Sequence, residues 1–395
     1  MSSASESLAP FHTHCPNACA RISQEQGRWL IQPEAPTSMA GSNWFTCLVG
    51  LDASDVPLDV VVRWLPLRET NVGDYTGNDN FSSVLDRVCF LDHGDGRWQR
   101  LSGVRVDGDE AHLQLPPGPQ GRRFAIGMPV DARDLHGLLE DGHASPHASV
   151  RLLGHATRGS PVWGLTINEG SQAQGTIVVQ SLQHAQEWAG LRAHRQLVRF
   201  LLSPEGAPLR QRWRWLCYPA TNADGLYLGW RGDPMVVDDY NPNRDWGVFS
   251  LPEIRAVADD LLSNLQQGPP LAHAVDLHMG WNWRSNPGSA VGVAADDGDL
   301  DQCKAWHYAF ADALMAQSQL SDFHWQIHRK GRPTFPSWLM SETGLHGQTI
   351  EISRHLWPDG KGGQELPSQE REERFGPDLA RTLDRFLQQN PYPQT

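Results

Sequence analysis

The chain has 395 residues, 46 acidic against 33 basic side chains for a formal charge of −13, and a 39% hydrophobic content that includes 16 tryptophans. That length exceeds one ordinary core and suits a catalytic domain with an accessory domain, and the apolar content excludes a disordered chain. The acidic balance excludes a nucleic-acid partner, because affinity for a phosphate backbone comes largely from Lys and Arg displacing condensed counterions.

The amino terminus, MSSASESLAPFHTHCPNACA, has no basic segment followed by an apolar run, and nowhere do about eighteen apolar residues run together, so cytoplasmic residence without a membrane partner is expected. Residues 1–40 read as a flexible segment. His12, His14, Cys15 and Cys19 cluster there, at a spacing that fits no closed four-ligand metal site. With Cys47, Cys89, Cys217 and Cys303, the cysteines are too thinly spread for a disulfide framework and read as free thiols.

From residue 41 to 145 the pattern is short apolar runs, WFTCLVGL, DVVVRWLPL and RRFAIGMPV, broken by DGDG-like and PPGP turns. Short strands with frequent turn signals predict an antiparallel β-sandwich accessory domain. After the His-, Gly- and Ser-rich stretch at 142–147 the texture changes to strands alternating with amphipathic helices, which predicts an α/β domain over 146–395 built on a mixed, mostly parallel sheet flanked by helices. TIVVQSL (Thr176 to Leu182), RWRWLCYPA, AHAVDLH and TIEIS read as buried strands. Glu187 to Leu202, LPEIRAVADDLL, KAWHYAFADALM and a closing segment from Pro377 to Gln389 read as helices.

Separated by two residues, His184 and Glu187 leave a buried strand as a helix begins, so an imidazole and a carboxylate can converge on one ion. A hydrolytic Zn²⁺ takes three nitrogen or oxygen ligands and keeps a position for water. His278 is the candidate third ligand, because AHAVDLH ends in it at a strand's carboxyl edge, where open α/β sheets place their ligands. Asp276 reads as support for it, with strand alternation turning the carboxylate away from a direct role. Taken singly, an H-x-x-E or a histidine ending a strand is a weak signal.

The order of neighbouring segments strengthens it: HAQEW is followed by TNADG (Thr221 to Gly225), GWR (Gly229 to Arg231), DYNPNRDW and TIEIS. This set resembles the zinc carboxypeptidases, from about His147 to the end, and the layout is similar to the cytosolic branch, whose catalytic domain follows a β-sandwich. The resemblance implies one Zn²⁺ per chain on His184, Glu187 and His278, and Arg231 at the oxyanion. It also implies Asn243 and Arg244 on the substrate carboxylate, and Glu351 as general base. The chemistry agrees, since a guanidinium forms bidentate charge-assisted bonds with a carboxylate and stabilises a developing oxyanion. In GQTIEIS, Glu351 faces opposite to Ile350 and Ile352, as a half-buried strand allows.

Three departures from the family stand out. Gln186 lies where many relatives carry arginine. KGRPTFPSWLMSETGLHGQ contains no tyrosine to close over a substrate, leaving Trp338 or His346 to fill the space. The stretch from Glu187 to His278 is shorter than in the pancreatic enzymes. The expected activity is removal of a carboxy-terminal residue from a peptide or protein tail. The alternatives are a zinc amidohydrolase acting on an acylated amino acid or a peptidoglycan fragment, and an inactive binding protein.

Overall fold

In the computed structural model the described residues are 10–12, 20–33, 48–63, 89–108, 110–170, 172–229, 232–238, 240–279, 289–296, 301–318, 322–328, 333–345, 347–352, 357–358, 364–365 and 368–391. The chain divides into two compact units, Met1–Pro129 and Val130–Thr395.

The first unit holds β1 (Phe11–His12), β2 (Ala20–Glu25), β3 (Arg28–Pro33), β4 (Leu48–Leu51), β5 (Leu58–Arg63), β6 (Cys89–Asp92), β7 (Trp98–Arg100), β8 (Arg105–Asp107), β9 (Glu110–Leu115) and β10 (Arg122–Ile126). They form two five-stranded sheets, ordered β1-β4-β10-β6-β7 and β2-β3-β5-β9-β8. Pairing is antiparallel except between β3 and β5. The reading of residues 1–40 as flexible is corrected over 20–33. There β2 and β3 form a hairpin, turning at Gln26 and Gly27 with positive φ, and Leu30 and Ile31 are buried where β3 joins β5. The consecutive apolar residues Leu30-Ile31 and Val60-Val61-Val62 are all buried, so this strand pair is covered on both faces. His14, Cys15 and Cys19 lie outside the described residues.

The second unit begins earlier than the sequence texture suggested. α1 (Ala132–Ala144) is started by a reciprocal capping box between Asp131 and Asp134, and its Leu135, Leu138 and Leu139 enter the core of this unit. The composition change at 142–147 is the end of α1 and the turn into β11 (Ala148–His155), not a domain junction.

There follow β12 (Pro161–Ile167), β13 (Gly175–Ser181), α2 (Trp188–Leu202), α3 (Ala207–Arg212), β14 (Trp213–Tyr218), α4 (Ala223–Leu228), α5 (Pro234–Val237), α6 (Pro252–Gln267), β15 (Leu271–Met279), β16 (Ser289–Asp296), α7 (Asp301–Ser318), β17 (Asp322–His328), α8 (Phe335–Thr343), β18 (Gln348–Ile352), the short pair β19 (Trp357–Pro358) and β20 (Gln364–Glu365), and α9 (Gln369–Gln389). The eight-stranded sheet runs β11-β12-β14-β13-β15-β18-β16-β17. The pairs β14–β13, β13–β15, β15–β18 and β16–β17 are parallel, which is the mixed, mostly parallel sheet expected. One core joins α1, α2 and α9 to the sheet through residues such as Ile177, Leu197, Trp215 and Leu383. A second core, around Leu216, Trp246, Ile254 and Phe335, includes residues of α6 and α8.

α9 starts eight residues before the predicted Pro377. Ser368 caps it by accepting from Arg371 N–H, and the helix continues through Pro377. Proline lacks only one helical donor, and the amphipathic face on either side of it is buried against α2.

Candidate metal centre

β13, β15 and β18 lie side by side and parallel, so their carboxyl ends open on one edge of the sheet. β13 does not run straight into α2. Leu182, fully buried, takes a left-handed backbone with φ 57°, which costs a side-chain-bearing residue on the order of 1–2 kcal/mol. That turn carries Gln183 and His184 across the strand ends.

The TNADG segment holds the strained turn in place. The backbone N–H groups of Thr221 and Asn222 donate to the carbonyls of Ser181 and Leu182 at 3.2 and 3.0 Å, and the Asn222 amide donates to the Gln183 carbonyl at 3.2 Å. Asp233, buried, accepts from Ala185 N–H at 3.2 Å. A Cβ on Gly225 would stand 2.6 Å from Ala185 Cβ, so glycine is required where this turn meets the H-x-x-E loop.

Ligand atoms of His184, Glu187 and His278 all lie within 4.8 Å of one another, and the three residues are buried. His184 Nδ1 is 2.8 Å from Glu187 Oε1, while Asn241 Oδ1 accepts from His184 Nε2–H at 3.0 Å. His278 Nδ1 is 2.6 Å from Glu187 Oε2, and Asp276 Oδ2 accepts from His278 Nε2–H at 2.9 Å. Each Nε2 thus faces a fixed acceptor, Asn241 or Asp276, and each Nδ1 faces Glu187, so that loss of the Nδ1 protons would present both lone pairs to an ion. Glu187 Oε2 is buried and, despite the short distance, makes no aligned hydrogen bond with His278. Both imidazoles thus meet the one carboxylate at close range, and two imidazoles with one carboxylate match the ligand set of a hydrolytic zinc site.

Electrostatics reflects the same crowding. Burial alone would raise the Glu187 pKa, but the two imidazoles more than offset it and hold the carboxyl at about 2. Burial disfavours the charged His184 imidazole, yet Glu187 leaves its pKa raised; for His278, Asp276 and then Glu187 overcome burial and raise it well above its ordinary value. Glu351 is the register partner of His278 on the adjacent strand, so its side chain lies on the same face of the sheet. Its Oε2 is buried without a hydrogen-bond partner among the described residues, and burial pushes its pKa up to about 7 even though nearby His278 favours the charged form.

The structure thus brings His184, Glu187, His278 and Glu351 together. Asn243 and Arg244 are half-buried in the short turn Pro242–Arg244 that also carries Asn241, and Asn243 Oδ1 lies 3.5 Å from Gln183 Nε2. Arg231 and His346 lie outside the described residues. Asp276 sits on the face of His278 rather than away from it, because residues two apart on a strand share a face. Trp338 is buried among Trp246, Phe335 and Phe249, so it packs the core instead of replacing the missing tyrosine. Sequence reasoning missed Gln183, Asn241 and Asp233; Asn241 stands inside the quoted DYNPNRDW, where an Asx residue before proline signals a turn.

Residues 142–288 match the model of the zinc carboxypeptidase family. A search among curated proteins finds no match. Among solved structures, the metallo-carboxypeptidase from Burkholderia cenocepacia aligns over 96% of this chain and 99% of its own, at 16% identity and a TM-score of 0.75. The metallo-carboxypeptidase from Pseudomonas aeruginosa, in complex with (2-guanidinoethylmercapto)succinic acid, aligns over the same shares at 17% identity and a TM-score of 0.72. The carboxypeptidase A from Helicoverpa armigera covers 66% of this chain and 74% of its own, at 16% identity and a TM-score of 0.52. At these identities the likeness establishes the fold. Among the described residues no helix is long and apolar enough to cross a membrane.

Proposed function

We propose that this chain is a zinc-dependent metallocarboxypeptidase that hydrolyses the last peptide bond of a carboxy-terminal tail, with one Zn²⁺ held by His184, Glu187 and His278. The observation that carries the reading is the convergence of two imidazole Nδ1 atoms and a buried carboxylate beside Glu351 at the carboxyl ends of β13, β15 and β18. The family match over 142–288 supports the reaction class.

When bound, the ion supplies Lewis acidity, polarising the scissile carbonyl and lowering the pKa of a coordinated water to about 7. The protein's own groups do the rest. Glu351 takes a proton from the attacking water and returns it to the leaving amine. Asn241 and Asp276 hold the imidazoles in register. Asn243 and Arg244 grip the terminal carboxylate, in a turn that shares Asn241 with the metal loop. A ligand built on succinic acid in the Pseudomonas aeruginosa relative is consistent with a site for carboxylates. Arg231 takes the oxyanion role that the resemblance gives it.

The test is zinc content by elemental analysis of the wild type and of the His184→Ala and Glu351→Ala variants, with cleavage of a mixed peptide library read by mass spectrometry. Zinc is expected in the wild type and in Glu351→Ala but not in His184→Ala, with single-residue trimming from the carboxyl end in the wild type alone. Zinc without peptide cleavage would move the reading to an amidohydrolase; neither zinc nor cleavage would leave a binding protein.

A further inference from the structure

Directly before His184, and outside the H-x-x-E pattern, stands a fully buried glutamine whose amide touches four functional groups. Trp246 Nε1–H donates to Gln183 Oε1 at 2.7 Å. Gln183 Nε2 donates to Asp276 Oδ2 at 2.6 Å and lies 3.5 Å from Asn243 Oδ1 and 3.3 Å from His278 Nε2. We infer that Gln183 is a positioning residue that aims the His278 imidazole at the metal by holding the Asp276 carboxylate, with its own orientation set by Trp246. The inference rests on the zinc reading.

An indole nitrogen can only donate, so the Gln183 oxygen must face Trp246 and the amide nitrogen must face Asp276. The reverse orientation would set two donors against each other at Trp246 and an oxygen against the carboxylate. Asp276 is fully buried, and its Oδ1 has no hydrogen-bond partner among the described residues. Among those residues, the hydrogen bonds that locate this carboxylate pass through Oδ2, which accepts from Gln183 and from His278 Nε2–H. Without the amide, the imidazole would be the carboxylate's one remaining donor, and its ring angle would no longer be fixed from outside. Gln183 Nε2 also comes within 3.3 Å of His278 Nε2, while the shorter contact of that ring nitrogen, 2.9 Å, is to Asp276 Oδ2.

The second amide hydrogen points the same residue at substrate recognition. An Asn243 oxygen turned toward Gln183 leaves the Asn243 NH₂ group facing the other way, as capture of a substrate carboxylate requires. Gln183 therefore sets both the metal ligand and the asparagine from one amide.

The experiment is a titration of metal-depleted protein with zinc against a chelating indicator, for the wild type, Gln183→Met, Trp246→Phe and the double variant, with visible spectra of the cobalt-substituted forms. His194→Gln, another fully buried polar change in α2, is the control for general loosening. Gln183→Met keeps the volume and removes the donor, and zinc affinity should fall about 10–100-fold, as for other outer-shell partners of a metal ligand. Trp246→Phe keeps the aromatic packing and lets the amide flip, so its loss should be smaller and should vanish in the Gln183→Met background. The cobalt spectrum should change in Gln183→Met and not in His194→Gln. Wild-type zinc affinity in Gln183→Met, or losses that simply add in the double variant, would overturn the inference. Were Gln183→Met not to fold, unweakened zinc binding by Trp246→Phe would overturn it equally. A wild type that binds no zinc would sink the zinc reading first and this inference with it.

Discussion

Glu351 and His278 are neighbours in register on adjacent strands, yet their roles separate under substitution. Glu351→Gln keeps the strand, the volume and the metal ligands and removes only the base. Turnover should fall by about 10²–10⁴-fold, the range that positioned acid–base groups supply, with zinc content unchanged. Kinetics on a single peptide beside elemental analysis checks this, and near-wild-type turnover would remove Glu351 from the mechanism. The members of the His184, Glu187 and His278 cluster could be picked out in the sequence because ligand-type side chains stand at strand ends in a recognisable order. The amides that orient them could not. Gln183 and Asn241 belong to no spacing rule, and their value depends on which atoms the fold sets 2.6 to 3.0 Å away. Asp276 needed only the period of two applied from His278.

At the scale of elements, the crossing of α2 and α9 is closer than side-chain packing permits. A Cβ on Gly376 would lie 2.0 Å from Ala193 O and 2.6 Å from Leu197 N, both backbone atoms of α2 that cannot step aside. Gly376→Ala sets two effects of opposite sign against each other. Helix propensity alone would stabilise by about 1 kcal/mol. Overpacking against rigid backbone costs typically about 1–3 kcal/mol, and at such distances it prevails. A lowered Tm is the expected outcome in a thermal melt, whereas a raised one would mean that α9 rides further from α2. This contact explains why the start of α9 was misread. Gly376-Pro377 looks like a helix boundary in sequence, while in the fold the glycine is the point of close approach and the Ser368 cap lies eight residues earlier. The domain boundary was misplaced for a similar reason, since the α1 leucines serve a core that the local composition around 142–147 does not reveal.

For the whole molecule, stability is coupled to the proton and, on the zinc reading, to the metal. His194 is fully buried in α2, with Nδ1 3.0 Å from Ser181 Oγ, and burial pushes its pKa down to about 3. The unfolded chain protonates this imidazole below pH about 6.5 while the folded one does not, so the unfolded state binds more protons throughout the interval between those values. Stability from this group is complete above pH 6.5 and is lost on acidification by about 1.4 kcal/mol per pH unit until the folded pKa is passed. His194→Gln should therefore flatten denaturant-measured stability between about pH 6.5 and 4 relative to the wild type, and parallel profiles would show that the folded histidine is not held neutral.

The metal acts in the other direction, by favouring the folded state. A folded-state ligand at 100 times its Kd stabilises by about 2.7 kcal/mol, and in a unit the size of Val130–Thr395 each kcal/mol is worth roughly 2 °C in Tm. Zinc added to chelator-treated protein should thus raise Tm by about 5 °C, and His184→Ala should abolish the rise. The metal-free site raises the pKa values of His184 and His278, so protons compete with the ion for both imidazoles, and the zinc-induced increment should shrink as pH falls. A Tm that ignores both chelator and zinc in the wild type would mean that the three ligands are a hydrogen-bonded cluster and not a metal centre, because a bound ion cannot leave the folding equilibrium untouched.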